Sequence, residues 1–352
     1  MIMHSRTVSF LLIMLIYVLA LIVGIFGFYL VPDWMFIYRF LLLDILATLV
    51  IYFFSLLLKN ASLYDPYWSV IPPLLLVFAA WFYGSWSIHV MLMIFAISIW
   101  GIRLTYNWAS LWTGFGEMDW RYIQMKEKAP HLFPLTNLFG IQLFPTLIVF
   151  VQLSHALMVI SDNQGALIFT LVGAFIIIIS AMIQLVSDQQ MKSFKKNHQG
   201  EKVCIDEGLW RYSRHPNYFG EVMVWWGLYL IYFGYAKGFD IMIIAPLMMT
   251  SLFVFISIPW MERKILATRP EYKAYQAKVS MLIPFFRKKE IDESTTELAW
   301  QMDDSCYHTY REWMSPIVNL RKPRKLMTST TPCCGVFFLG EKTCYYLLHL
   351  LF

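Results

Sequence analysis

Long apolar runs alternate with short polar connections along this chain. A transmembrane helix needs about 20 mainly apolar residues, and about 17 suffice when it is tilted or interrupted. Eight stretches qualify: residues 8–30, 38–58, 68–83, 86–102, 142–160, 166–186, 219–234 and 239–260. The third, fourth and seventh are short, which also fits a re-entrant segment. The pattern predicts an all-α fold, a polytopic membrane helix bundle of about seven to eight transmembrane helices.

Composition agrees with this pattern. The chain is 59% hydrophobic, 18% aromatic and 14% charged, whereas a soluble domain carries roughly 25% charged residues. The first apolar run has a basic flank at Arg6 and no small-residue cleavage site before Pro32, so a retained helix is expected in place of a signal peptide. Residues 1–36 then form an N-terminal transmembrane anchor and 37–287 the main transmembrane domain. From residue 288 the chain turns polar and charged, and 288–352 are expected to be a disordered tail, with Cys333 and Cys334 as candidates for lipidation. Four of the five cysteines lie beyond residue 300, which argues against a disulfide framework, and no Cys/His spacing suggests a metal site.

The net charge of +5 needs no nucleic acid to explain it, because its distribution follows the membrane. Basic residues gather in every second connection: Arg103, Arg121, Lys126 and Lys128 in one, Lys192 to Arg214 in the next, Arg263 to Arg287 after the last run. The intervening connections carry little beyond Arg39 and Lys237. By the positive-inside rule both termini and all three basic segments are cytoplasmic.

Candidate chemistry clusters in the polar island between residues 207 and 221, which holds Arg211, Tyr212, Arg214, His215, Asn217, Tyr218 and Glu221. Pro216 suits the first turn of a helix, whose free N–H groups and partial positive charge suit an anion. Farther upstream, Tyr64-Asp-Pro-Tyr-Trp-Ser69 places Asp65 beside Tyr67 at a membrane boundary. Aromatic anchors look like this, and so does proton-transfer equipment. Trp100 and Arg103 share a helical face, where an arginine either snorkels or binds a ligand. Gln184, Asp188, Lys192 and Lys195 form one stripe, equally readable as an exposed salt-bridged face. Asp44 in an apolar run is costly in lipid and must face protein or water. The loop from Gly114 to Tyr122 reads as interfacial packing, and the lone His89 and His155 as satisfied core histidines.

The run Gly208-Leu-Trp-Arg-Tyr-Ser-Arg-His-Pro-Asn-Tyr-Phe-Gly-Glu221 resembles the signature of the steroid 5-alpha-reductase-like membrane proteins and their uncharacterised relatives. Its Arg-His-Pro-x-Tyr core is shared with membrane sterol reductases and with isoprenylcysteine and phospholipid methyltransferases. The resemblance runs from about Asp44 to Phe286, closing with Glu262, a Pro-x-Tyr-x-x-Tyr segment and Ile-Pro-Phe. It implies an NADPH-dependent reductase acting on a carbon–carbon double bond conjugated to a carbonyl. The substrate would be a steroid-like or other lipid entering from the bilayer, and the location, in a eukaryote, the endoplasmic reticulum membrane.

By the same resemblance Asp65 touches the substrate carbonyl. Trp100 stands where a tyrosine is expected and is implied in catalysis too, since an indole N–H can hydrogen-bond the carbonyl; it cannot surrender a proton, so the acid falls to Asp65, Tyr67 or Tyr106. Arg103, Gln184, Asp188, Lys192, Lys195, Arg211, Tyr212, Arg214, His215, Asn217, Tyr218, Glu221 and Glu262 are implied in cofactor binding. Two other functions share the motif: an S-adenosylmethionine-dependent methyltransferase and a non-catalytic lipid-binding membrane protein.

Overall fold

A computed structural model describes residues 5–287. The expected tail, 288–352, lies outside the described residues. Ten helical elements follow one another: α1 (Arg6–Leu30), α2 (Phe36–Leu57), α3 (Tyr67–Tyr83), α4 (Ile88–Leu111), the short α5 (Trp120–Lys128), α6 (Pro130–Asp162), α7 (Leu167–Asn197), α8 (Pro216–Ala236), α9 (Ile241–Thr268) and α10 (Tyr272–Lys278). A 3₁₀ turn, Ala61–Tyr64, leads into α3, and π-helical turns interrupt α6 at Thr136–Leu143 and α9 at Phe253–Ser257. Among the described residues there is no strand, so the fold is an all-α helix bundle.

Among the described residues, seven helices are long and apolar enough to cross a membrane. The remaining long helix, α8, has 21 residues, roughly 30 Å, but it is more polar because it carries Asn217 and Glu221 into the bundle. Burial is the reverse of a water-soluble protein. Leu11, Ile22, Phe26, Ile102, Phe175 and Phe255 face outward while Asp44, Arg103, Gln142, Gln152 and Glu221 are buried. Outward apolar and inward polar side chains suit a lipid surround, and this is an integral multi-pass membrane protein.

The contacts between connections sort the helix ends into two sets. Arg6 donates to the carbonyl of Ala109, tying the start of α1 to the end of α4. Asn60, after α2, donates to the carbonyls of Phe115 and Glu117, and Arg103 of α4 pairs with Asp188 near the end of α7. At the other end Asn163 accepts from the backbone N–H of Ser87, and Tyr235 donates to Asp162. The chain therefore crosses the bundle eight times. The basic connections share one end and the short neutral ones the other.

Glycines set the closest approaches. On α8, Gly220, Gly227 and Gly234 recur every seventh residue along the face against α7. A Cβ on Gly227 would lie 2.9 Å from the Gly173 carbonyl oxygen, and one on Gly220 2.7 Å from that of Ser180. Backbones this close are the small-residue packing of membrane helices. Between α3 and α4 a related contact forms for another reason. Pro73 has no N–H for the Ser69 carbonyl four residues back, and Gly101 lies against that oxygen, where a Cβ would come within 2.6 Å. The first helix packs in the same way, Gly24 against the carbonyl of Leu43, and Tyr17 donates to the Leu63 carbonyl.

Two predictions follow from this packing. Single cysteines at Lys196 and Asn163, at opposite ends of α7, should be labelled from opposite sides of a sealed membrane; labelling from one side would refute the eight crossings. Gly227→Val should force α7 and α8 apart and lower stability by about 1–3 kcal/mol or more, read as a lower melting temperature in detergent.

Candidate functional site

At the basic end of the bundle, α4, α7 and α8 converge on one carboxylate. Glu221, 5% exposed, accepts at Oε2 from Trp100 Nε1 at 3.0 Å and Gln184 Nε2 at 3.0 Å, and at Oε1 from Trp225 Nε1 at 3.1 Å. Gln184 turns its oxygen to Arg103 Nη2, and Arg103 Nη1 reaches Asp188 Oδ2 at 2.9 Å. The hydrogen bonds thus run Trp100, Glu221, Gln184, Arg103, a ring closed by the α4 backbone between Arg103 and Trp100, with Asp188 attached at Arg103. Helical spacing supplies its members, since Trp100 and Arg103 are one turn apart on α4 and Gln184 and Asp188 one turn apart on α7. Gly220 makes room for it, because a Cβ there would sit 2.5 Å from Gln184 Cγ. The buried Nε of Arg103 has no partner. Asn217 stands beside Asp188, and one turn along α7 Lys192 donates to Ser110 Oγ at 2.8 Å.

A second cluster covers the mouth of α3. Tyr122 of α5 donates to Asp65 Oδ1 at 2.7 Å. Burial and the Asp65 charge push the Tyr122 hydroxyl well above its ordinary range, so it stays a donor. Asp119 caps α5 through the Arg121 N–H at 2.8 Å and also takes the Arg121 guanidinium at 2.9 and 3.0 Å. Ser62 Oγ accepts from the Asp119 backbone N–H at 2.9 Å, which seats α5 on the turn before α3.

Glu262, near the end of α9, organises a third cluster. Its Oε1 takes Arg214 Nε at 2.7 Å, Tyr272 OH at 3.0 Å and lies 3.1 Å from His215 Nε2; its Oε2 takes Gln276 Nε2 at 2.6 Å. Arg214 Nη1 donates to the carbonyls of Gln276 and Val279. Burial and the Glu262 charge push Tyr272 well above its ordinary range, so it too remains a donor. These bonds clasp α10 and the segment after it onto the start of α8, where Arg214 N also donates to the Ser280 carbonyl at 2.8 Å. The His215 ring stacks on Tyr218, with 5.3 Å between centroids and planes 8° apart.

The residues singled out in the sequence therefore fall into separate groups. Trp100, Arg103, Gln184, Asp188, Asn217 and Glu221 come together. Arg214 and His215 are engaged by Glu262, whereas Arg211 and Tyr212 are exposed. Lys195 is exposed at the end of α7. Asp65 pairs with Tyr122, not with its sequence neighbour Tyr67, which donates to Asp44 Oδ1 at 2.7 Å. Tyr106 is 67% exposed on the outside of α4. Tyr122, Arg121 and Asp119 are the additions the structure makes. They lie in the loop from Gly114 to Tyr122 that the sequence reads as interfacial packing, and nothing local marks Tyr122 as the partner of an acid 57 residues away. An apolar groove lined by Trp34, Met35, Tyr38, Leu41, Leu42 and Ile45 belongs to the α2 surface and shares no residue with these clusters.

A buried ring of charged and amide groups at one end of a polytopic helix bundle defines a membrane protein with an intramembrane polar site. The chain belongs to the family described as "Protein of unknown function (DUF1295)", which matches residues 51–279. It is also similar to the "Uncharacterized protein C594.04c" of Schizosaccharomyces pombe (strain 972 / ATCC 24843), at 26% identity over 273 residues, covering 69% of this chain and 78% of that protein. No solved structure matches.

The two arginines of the central motif should behave oppositely. Glu262→Ala leaves the largely buried Arg214 guanidinium, 12% exposed, without its acid and should cost about 3 kcal/mol. Arg211→Ala should leave the melting temperature unchanged. Hydrogen exchange over residues 272–286 measures the first effect directly, and it should accelerate only in the Glu262 variant.

Proposed function

We propose that this protein is a membrane reductase that uses NADPH to saturate a carbon–carbon double bond conjugated to a carbonyl in a steroid-like or other apolar lipid. The observation that carries the reading is the buried ring of Trp100, Arg103, Gln184 and Glu221 with Asp188 attached, next to Asn217 and near the Asp65–Tyr122 pair. Charged groups inside a membrane bundle are costly and mark functional sites by default. The resemblance of residues 208–221 to the steroid 5-alpha-reductase-like proteins supplies the chemistry, and with it the endoplasmic reticulum membrane in a eukaryote.

The residues fit the cofactor. Arg103 keeps a buried, unpartnered Nε, Asp188 and Asn217 stand together as acceptor and amide for sugar hydroxyls or a carboxamide, and Lys192 and Lys195 lie one and two turns farther along α7 for phosphates. NADPH supplies a hydride when bound. With Asp65 protonated, Tyr122 donates to its Oδ1 at 2.7 Å while the Asp65 O–H hydrogen-bonds the substrate carbonyl, stabilises the negative charge that develops on its oxygen and supplies the proton that completes the reduction. The Trp100 N–H is already given to Glu221, so Trp100 is a positioning residue. Arg214 and His215 act through Glu262, holding the start of α8 in place for Asn217, Tyr218 and Glu221. Arg211 and Tyr212 contribute from the exposed rim.

The purified full-length protein tests this. NADPH at a hundred times its dissociation constant should stabilise it by about 2.7 kcal/mol, read as a melting shift, and Asp188→Ala should abolish the shift. Asp65→Asn and Tyr122→Phe should keep the shift and slow reduction of an enone lipid by about a hundredfold or more. Stabilisation by S-adenosylmethionine and not by NADPH would replace the reading with a methyltransferase. A response to neither would leave a lipid-binding protein without catalysis.

A further inference from the structure

The helix α5 carries a second set of groups that neither the ring nor the Asp65–Tyr122 pair uses. Trp120 opens it, and the Lys264 ammonium of α9 lies 3.2 Å from the centroid of that ring. Trp260, one turn earlier on α9, packs against the same ring at 5.8 Å. Lys264 is exposed and, among the described residues, forms no ion pair. Beside it the Arg121 side chain is 42% exposed, and the Lys126 ammonium stands 5.9 Å over the Phe133 ring. The same segment also exposes large apolar side chains, Ile123 at 39%, Leu132 at 59% and Leu135 at 56%.

Cations and apolar side chains together on α5 and the start of α6, at the end of the bundle where the membrane helices terminate, form the pattern of a segment lying in the headgroup layer. Paired tryptophans belong to that layer as well. Asp119 and Arg121 neutralise each other, and with Lys126, Lys128 and Lys264 against Glu127 the remaining charge balance is positive. A phosphate-bearing, two-tailed ligand satisfies all three features at once. A soluble anion would leave the exposed apolar residues unused.

We propose that the seam between α5 and α9 binds the phosphate headgroup of an anionic phospholipid. Lys264 at the seam and Lys126 toward the end of α5 supply the charge, Trp120 and Trp260 the flat wall, and Ile123, Leu132 and Leu135 reach the acyl boundary. Because Tyr122 on the same helix holds Asp65, a bound lipid also pins α5 over the mouth of α3. The binding does not depend on the proposed reaction.

Native mass spectrometry of the full-length protein in detergent tests it, with phosphatidic acid and phosphatidylcholine as probes. Phosphatidic acid adducts should outlast phosphatidylcholine adducts, and Lys126→Gln and Lys264→Gln should each weaken that preference by about fivefold. For the wild type the preference should fall with added salt, because the contact is exposed, and this needs no variant to fold. Hydrogen exchange over residues 119–128 should slow with phosphatidic acid and not with phosphatidylcholine. Equal retention of the two lipids, or an undiminished preference in the double variant, would overturn the proposal. Displacement of phosphatidic acid by inorganic phosphate or by NADPH would overturn it too, by making the seam a site for soluble anions.

Discussion

Glu221 lies between three helices with almost no surface exposed, and a carboxylate in that position persists only if donors replace water. Its three donors are Trp100, Gln184 and Trp225. Each fixes something larger than itself. Trp100 sets the rotation of α4, and because Arg103 is one turn away, the guanidinium is delivered to Gln184 and Asp188. Gln184 sets the register of α7 against α8, and only because Gly220 has no side chain can it approach. The glycine spacing, the carboxylate and the ring are thus one constraint seen at three scales: backbone approach, hydrogen bonding and the geometry of the site.

The helix bundle was legible in the sequence because lipid leaves a long apolar signal, but the signal stops where the helices leave the apolar layer. Residues 86–102 marked α4, yet the helix continues to Leu111 through Arg103, Thr105 and Asn107. The continuation carries the chemistry. The stripe of Gln184 and Asp188 was readable from periodicity alone, since one helix generates it. Partnerships between helices were not. Arg214 and Arg211 look equivalent in the motif, but Glu262, 48 residues beyond Arg214, selects only one of them. The indole of Trp100 looks available for a substrate in the sequence, but its N–H is donated to Glu221, 121 residues away.

The same limit separates two acid–tyrosine pairs. Asp44 and Tyr67 meet deep between α2 and α3, with Asp44 1% exposed, and a chain of hydroxyls through Tyr64, Thr146 and Thr48 lies beside them. That pair is enclosed by α1, α2, α3 and α6 and fixes how those helices pack. Asp65 is partly exposed and Tyr122 is buried on it, but Tyr122 comes from the connection between α4 and α6 and not from a membrane helix. An acid closed in on all sides by helices can hold a structure together. An acid whose partner rides on a surface element can meet a ligand.

How firmly each surface element is held decides which of them can move. The segment after α9 is bound by the Glu262 cluster, by the Arg214 guanidinium on two carbonyls, and by Ser213 Oγ on the Leu282 carbonyl. Releasing it would strand several buried donors together. By contrast α5 is joined to the bundle through Tyr122 on Asp65, Ser62 on the Asp119 N–H, and the aromatic contact of Trp120 with Trp260. Few bonds and an exposed outer face place α5 among the less stable local units of the fold. Local opening is therefore easier at α5 than at the Glu262 clasp. For the lipid proposed as substrate, the path toward Asp65 would then run under α5, while the clasp at α10 keeps the start of α8, with Asn217 and Tyr218, in place.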